Sequence, residues 1–287
     1  MPEFVEIPDP VAGPGATGQL RVDRRLPEGA RGAGPNVPLV ILGGMTQTLS
    51  SWGGQVRPLA ATGREVIVYE ARGQGQTGLA LEDVSPPVHV GDFERLLAAL
   101  AIDGPVDLCG FSFGGRIALA IAAERPERVR KLVLSGVSAG RGALGRVIVR
   151  AWQKALATGD LEALAWFSLA DTLGPTYLAQ NEAVLPAIVK ATVQRNRFEG
   201  ISALFSQTLH DDETSPWHPL RLAPRVRAPA LLLAGELDRL APAPEVAALA
   251  ERFSPPAQHE ILPGIGHTVA IEAPERWRQR VLEFLAQ

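Results

Sequence analysis

Gly110-Phe111-Ser112-Phe113-Gly114-Gly115 is the stretch on which the fold of this chain turns. Before it stands Val106-Asp107-Leu108-Cys109, a short apolar run that reads as a buried strand. After it, residues 114–124 are rich in Ala, Ile and Leu and stop near Pro126, which reads as a helix. A strand that turns directly into a helix through Gly-x-Ser-x-Gly holds the serine in a strained backbone conformation. Glycines two before and two after it remove side chains that would collide. The Ser112 hydroxyl then sits at the carboxyl end of a sheet, above helix N–H groups that favour developing negative charge. The plain alternative is a Gly-rich turn with an incidental serine, and the strand-to-helix setting weighs against it.

Outward from this turn, short apolar runs at 39–42, 66–69, 132–135 and 230–234 read as further strands buried on both faces. Helical patterns fall at 92–101, 244–253 and 273–285. Alternating strand and helix predicts an α/β chain with a doubly wound, mostly parallel sheet. Residues 19–25 lie between turn-rich stretches at 8–18 and 27–38 and are expected to form part of a peripheral hairpin. The alternation breaks between 139 and 221, which looks helical and holds no convincing strand. The expected organisation is a core of 1–138 and 222–287 with a helical insertion of 139–221.

Composition limits the function. With 287 residues, 46% hydrophobic and 21% charged, the chain can bury a sizeable core. A net charge of −3 leaves no basic field for a phosphate backbone, so nucleic acid is not an expected partner. The single cysteine, Cys109, excludes an internal disulfide framework. No basic head precedes an apolar run at the N-terminus, and no apolar stretch reaches the ~20 residues of a membrane span. A soluble cytoplasmic monomer or homodimer acting on a small molecule is the expectation. No Gly-x-Gly-x-x-Gly follows a strand and no ligand cluster suits zinc, so no cofactor or metal is expected.

A serine hydroxyl needs a base. His267, in Pro263-Gly264-Ile265-Gly266-His267, lies on a loop between the last strand-like run, at 260–262, and the final helix, where it can reach the sheet's carboxyl edge. His259 would sit at the opposite end. His89 precedes the helix near Asp92 and reads as a surface residue. His210 and His218 sit near Asp211-Asp212-Glu213, in what reads as a solvated polar turn more readily than a metal site. The base needs an orienting carboxylate. Asp238, deeper in the loop after the 230–234 strand, is preferred, and Glu236 is the alternative. Two backbone N–H groups would hold an oxyanion: that of Phe113, directly after the serine, and that of Met45, in the loop after residues 39–42.

Together these stations resemble the α/β-hydrolase superfamily, in its serine-nucleophile branch with a helical cap. Glu70-Ala71-Arg72-Gly73-Gln74-Gly75-Gln76-Thr77 also resembles that family's Asp-x-Arg-Gly-x-Gly-x-Ser turn, with Glu70 and Thr77 as replacements. The resemblance implies that 139–221 roofs the site. Its aromatics Trp152, Trp166, Phe167, Tyr177, Phe198 and Phe205 would then line a substrate pocket or form the cap's own core. Two departures stand out. Gly43-Gly44 replaces the family's His-Gly, which puts the rigidity of the oxyanion loop in question, and Phe113 is bulky for its position. Gly114-Gly115-Arg116 resembles the elbow of the menaquinone-pathway synthase, which would make Arg116 a contact for an anionic substrate. An arginine on the exposed helix face is the simpler reading.

The leading expectation is a carboxylic-ester hydrolase. The alternatives are carbon–carbon hydrolysis, lactone opening or elimination on a carboxylated substrate with the same residues, and a non-enzymatic capped binding protein.

Overall fold

The computed structural model describes residues 2–27, 37–208 and 212–287. Its strands are β1 (Glu3–Pro8), β2 (Thr17–Arg25), β3 (Leu39–Leu42), β4 (Val66–Glu70), β5 (Val106–Phe111), β6 (Val129–Ser135), β7 (Ala230–Gly235) and β8 (Gln258–Leu262). They form one sheet in the order β1-β2-β4-β3-β5-β6-β7-β8. From β4 through to β8 every neighbouring pair is parallel, and the β1–β2 hairpin joins antiparallel to β4. The peripheral hairpin expected around 19–25 is therefore present, with β1 as its outer strand. The turn-rich stretch at 27–38 lies largely outside the described residues.

The helices are α1 (Gly53–Ala60), α2 (Pro86–Ala99), α3 (Ser112–Glu124), α4 (Gly142–Leu156), α5 (Leu161–Thr172), α6 (Pro175–Asn181), α7 (Leu185–Arg195) and α8 (Phe198–Thr208). They continue as α9 (Pro219–Leu222), α10 (Ala243–Ala250), α11 (Val269–Glu272) and α12 (Pro274–Ala286). Among the described residues, everything regular between β6 and β7 is helical.

Side-chain alternation along the strands makes two cores. Val40, Leu42, Ile67 and Leu108 pack with Phe93 of α2 and with Ile117 and Ile121 of α3. Leu39, Ile41, Val66 and Val68 pack on the other face with Val56 and Leu59 of α1 and Trp277 and Val281 of α12. Trp277, fully buried, gives its indole N–H to Ser135 Oγ at 2.9 Å. Cys109 is buried in this second core, and burial pushes its thiol up to about 12, which makes it an inert packing residue.

The turn after β4 is organised by a fully buried arginine. Arg72 donates through Nε and Nη2 to the two oxygens of Asp92, at 2.8 Å each. Its Nη1 reaches Asp9 Oδ1 at 2.9 Å and the Ala80 carbonyl at 2.7 Å. One side chain thus joins the end of the hairpin, the Gly-rich turn and α2. Removing one partner of a buried ion pair strands the others without water. Arg72→Met is therefore expected to lower stability by roughly 3–5 kcal/mol, read as a fall in urea midpoint at constant slope. Arg225→Met, which breaks the half-exposed pair with Glu124, should change it by less than about 1 kcal/mol.

Candidate active site

Ser112 opens α3 with a φ of +51°, a region that a non-glycine residue enters only when its surroundings hold it there. The neighbouring glycines are what permit this. A methyl group on Gly110 would lie 2.5 Å from the Gly115 Cα, and one on Gly114 would lie 2.5 Å from the Leu42 carbonyl oxygen. The Gly114 N–H donates to the Gly43 carbonyl at 3.1 Å. The first turn of α3 is thus docked onto the loop that leaves β3, which brings Met45 and Ser112 to the walls of one cavity.

That loop lacks the family's histidine, yet it is braced. Gln47 Oε1 accepts the Gly44 N–H at 2.9 Å. Gln74, buried in the turn after β4, donates from Nε2 to the carbonyls of Gly44 (2.6 Å) and Met45 (3.1 Å), while its Oε1 accepts the Ala71 N–H. Asn196, from the helical insertion, donates to the Thr46 carbonyl at 2.9 Å and accepts the Gly75 N–H at 3.2 Å. Three amide side chains do the bracing that a histidine was expected to do. No described acceptor takes the Met45 N–H.

His267 follows β8 on a loop that crosses to the same cavity. Its Nδ1 lies 2.7 Å from Asp238 Oδ2, and both side chains are buried. The other oxygen of Asp238 accepts the N–H groups of Leu240 and Ala241, each at 2.8 Å, so the carboxylate is locked in orientation. Glu236 is exposed and instead caps the loop by accepting the Gly264 N–H at 2.9 Å. Of the two carboxylates, Asp238 meets the imidazole. A carboxylate at Nδ1 makes that nitrogen the donor and leaves Nε2 as the basic one. Nε2 is buried and has no hydrogen-bond partner among the described residues, and its ring lines the cavity with the half-buried Ser112.

The histidine loop is fastened to the insertion. The His267 N–H donates to the Thr172 carbonyl at 2.7 Å. Glu272 accepts from the N–H and hydroxyl of Thr268 and from the N–H groups of Gly266 and Gly174. Glu272 was not singled out from the sequence. An acid four residues after Thr268 at a helix start is a legible local signal, but its partner Gly174 lies 98 residues away.

Several sequence expectations are corrected. Trp166 and Phe167 are 40% and 52% exposed on α5 and do not line the cavity. The buried stripe of that helix is Leu161, Leu164 and Ala165, which turns the next two side chains outward. The insertion lines the cavity with the apolar Val149, Trp152, Leu164 and Phe205 and with the charged Arg141. Arg116 is half-buried and faces the cavity, not open solvent. His89 is buried, not superficial, because α2 begins at Pro86 and carries its ring against Phe113. His218 is also buried, since the chain turns at Pro219 into α9, which packs on α3. His210 lies outside the described residues. Among the described residues no cluster of three or more His, Cys, Asp or Glu side chains is arranged to hold a metal ion, and no helix is long and apolar enough to cross a membrane.

The family model for the alpha/beta hydrolase fold matches residues 37–274. This chain belongs to that family. The α/β hydrolase is 27% identical over 261 residues to the 2-hydroxymuconate semialdehyde hydrolase of Pseudomonas sp. (strain CF600), a match covering 89% of each chain. Its fold superposes on a thermophilic esterase from Thermogutta terrifontis with a TM-score of 0.82 at 21% identity, covering 99% of this chain and 100% of that one. The enol-lactonase from Burkholderia xenovorans LB400 gives 0.77 at 23% identity, covering 93% and 97%. The menu of chemistries in this family is wide, and the sheet and elbow are common to it.

Gln74 holds the loop after β3 and lines neither cavity at Ser112, so it would position the Met45 N–H without touching a substrate. If that N–H receives an oxyanion from an ester, Gln74→Leu is expected to lower kcat on a short nitrophenyl ester by about 10- to 100-fold, with KM within about threefold. Rates are normalised to sites titrated by a fluorophosphonate. A merely destabilised variant would lose titratable sites and keep its kcat per site.

Proposed function

We propose that this α/β hydrolase cleaves a small or medium carboxylic ester through an acyl-enzyme on Ser112. The observation that carries the reading is the pairing of His267 Nδ1 with Asp238, which leaves the basic Nε2 unpartnered at a cavity shared with Ser112.

In this reading Ser112 Oγ attacks the ester carbonyl and His267 Nε2 takes its proton. Hydroxyl-to-imidazole contacts of this kind are commonly long without substrate and tighten once it is bound. Asp238 holds the tautomer and stabilises the imidazolium. The N–H groups of Met45 and Phe113 receive the oxyanion, at the start of a helix whose first-turn donors lack intrahelical acceptors. His267 returns the proton to the departing alkoxide. Water, deprotonated by the same nitrogen, then releases the acid from Ser112. The insertion acts as a cap, with Trp152, Leu164 and Phe205 keeping water from the reacting centre. Two pockets of about 60 and 90 Å3 are lined by Ser112 and His267, which favours small groups on either side of the carbonyl.

Ser112→Ala should lose at least about three orders of magnitude in kcat/KM on short nitrophenyl esters, with an unchanged circular-dichroism spectrum. Wild-type turnover by that variant would end the proposal.

A second reading rests on Arg116, whose side chain lines the cavity that holds Ser112. The same triad would then act on a carbon–carbon bond or lactone in a carboxylated substrate, as the name of the Pseudomonas relative suggests for that protein. Here Arg116→Ala should raise KM for a carboxylated diketone about tenfold more than for an uncharged ester. Equal changes on both substrates would remove Arg116 from the argument.

A further inference from the structure

A second cavity adjoins the first and is much larger, at about 360 Å3. The two share Phe113 and Arg116 as walls. The larger one is bounded further by His89 of α2, Ile117 of α3, and Asp212, Trp217 and His218 near the end of the insertion. The two spaces at the serine, of about 60 and 90 Å3, each hold only part of a medium-sized substrate. The neighbouring chamber has the size of an ordinary small-molecule site.

His89 gives this chamber its chemistry. The residue is 2% exposed, with its ring edge-on to Phe113 at 5.5 Å. Burial pulls its pKa down to about 4, partly offset by Asp92, so the ring is neutral at neutral pH. It is hydrogen-bonded to the backbone of Val84 in the sense that favours its protonated form, which makes the Val84 carbonyl the acceptor. Among the described residues Nε2 has no hydrogen-bond partner, so the bond to Val84 comes from Nδ1–H. A neutral imidazole that donates from Nδ1 is an acceptor at Nε2. Among the described residues no protein group donates to this acceptor, which leaves it free for a donor from outside the protein. A ligand that brings a hydroxyl or N–H supplies one. The walls at Phe113 and Trp217 favour a flat ring beside them.

We propose that this chamber receives the larger end of the substrate, an aromatic ring whose hydroxyl donates to His89 Nε2. The proposal rests on the esterase reading for what happens at Ser112, but its binding half stands apart from catalysis.

The test separates the two. In Ser112→Ala protein, calorimetry compares 1- and 2-naphthol and the dihydroxynaphthalenes with their methoxy counterparts, which are of similar shape but cannot donate. At least one hydroxyl isomer is expected to bind about tenfold more tightly than its methyl ether, and His89→Leu should erase that ratio. Trp217→Ala should weaken alcohol and ether alike by several-fold and keep the ratio, which provides a readout should the His89 variant fail to fold. No binding by any naphthol, or equal binding of all alcohols and ethers, overturns the chamber. Hydroxyl-selective binding in a wild-type protein that turns over no aryl ester keeps the chamber and overturns the esterase reading. Ester turnover without hydroxyl selectivity does the reverse.

Discussion

The φ of +51° at Ser112 is the constraint on which the functional architecture depends. A strained non-glycine conformation of this kind is unfavourable by about 1–3 kcal/mol and persists only where packing over-determines it. Here the surroundings are backbone. Gly110 and Gly114 stand where any side chain would strike Gly115 or Leu42, so α3 can press against the end of β5 and the loop beyond β3. That contact places Ser112 beside the Met45 loop. It also sets Phe113 and Arg116, at the start of the same helix, as walls shared by the two cavities. The position of Ser112, the loop that carries Met45 and the shape of both cavities are one packing problem.

The helical insertion is bonded to the site at two places. Thr172 and Gly174 hold the histidine loop, directly and through Glu272, while Asn196 holds the Met45 loop from the opposite side. A rotation of these helices would therefore move His267 and the Met45 loop together, besides changing the cavity wall. Coupling of that kind needs no separate signal path, because the same hydrogen bonds that seat the insertion orient both loops. It also accounts for the absence of a bracing histidine. Gln47 and Gln74 hold the loop from below and Asn196 from above, and together they fix three successive carbonyl or N–H positions, from Gly44 to Thr46.

The elements that were legible in the sequence are those whose signal is local. The run at 39–42 is apolar at every position because its strand has helices on both faces, and it matches β3 without a shift. β1 escaped notice because an outer strand of a hairpin buries little. Of its six residues only Ile7 is fully buried, and charged side chains dilute the alternation. His89 was misjudged through a helix start. Beginning α2 at Pro86 instead of near Asp92 places residue 89 inside the first helical turns, where α3 covers it. Trp166 and Phe167 were drawn toward the pocket by their hydrophobicity, which ranks burial but not direction. One step along a helix turns a side chain by about 100°, and that step separates the buried Ala165 from the exposed Trp166.

By itself the sequence determined the succession of strands and helices, the sharp turn at residue 112 and the residue types available for proton transfer. Each of these follows from spacing within a dozen residues, where backbone sterics and periodicity leave few choices. Tertiary structure alone decided between Asp238 and Glu236, because two acids two residues apart differ only in which one the strand end turns inward toward the imidazole of residue 267. It likewise decided that Gln74, Asn196 and Glu272 serve the site, and that a chamber larger than the serine pocket lies behind Phe113. Those facts depend on groups far apart in the chain meeting at separations of about 3 Å, and no local pattern encodes a distance between elements that the folded sheet has yet to bring together.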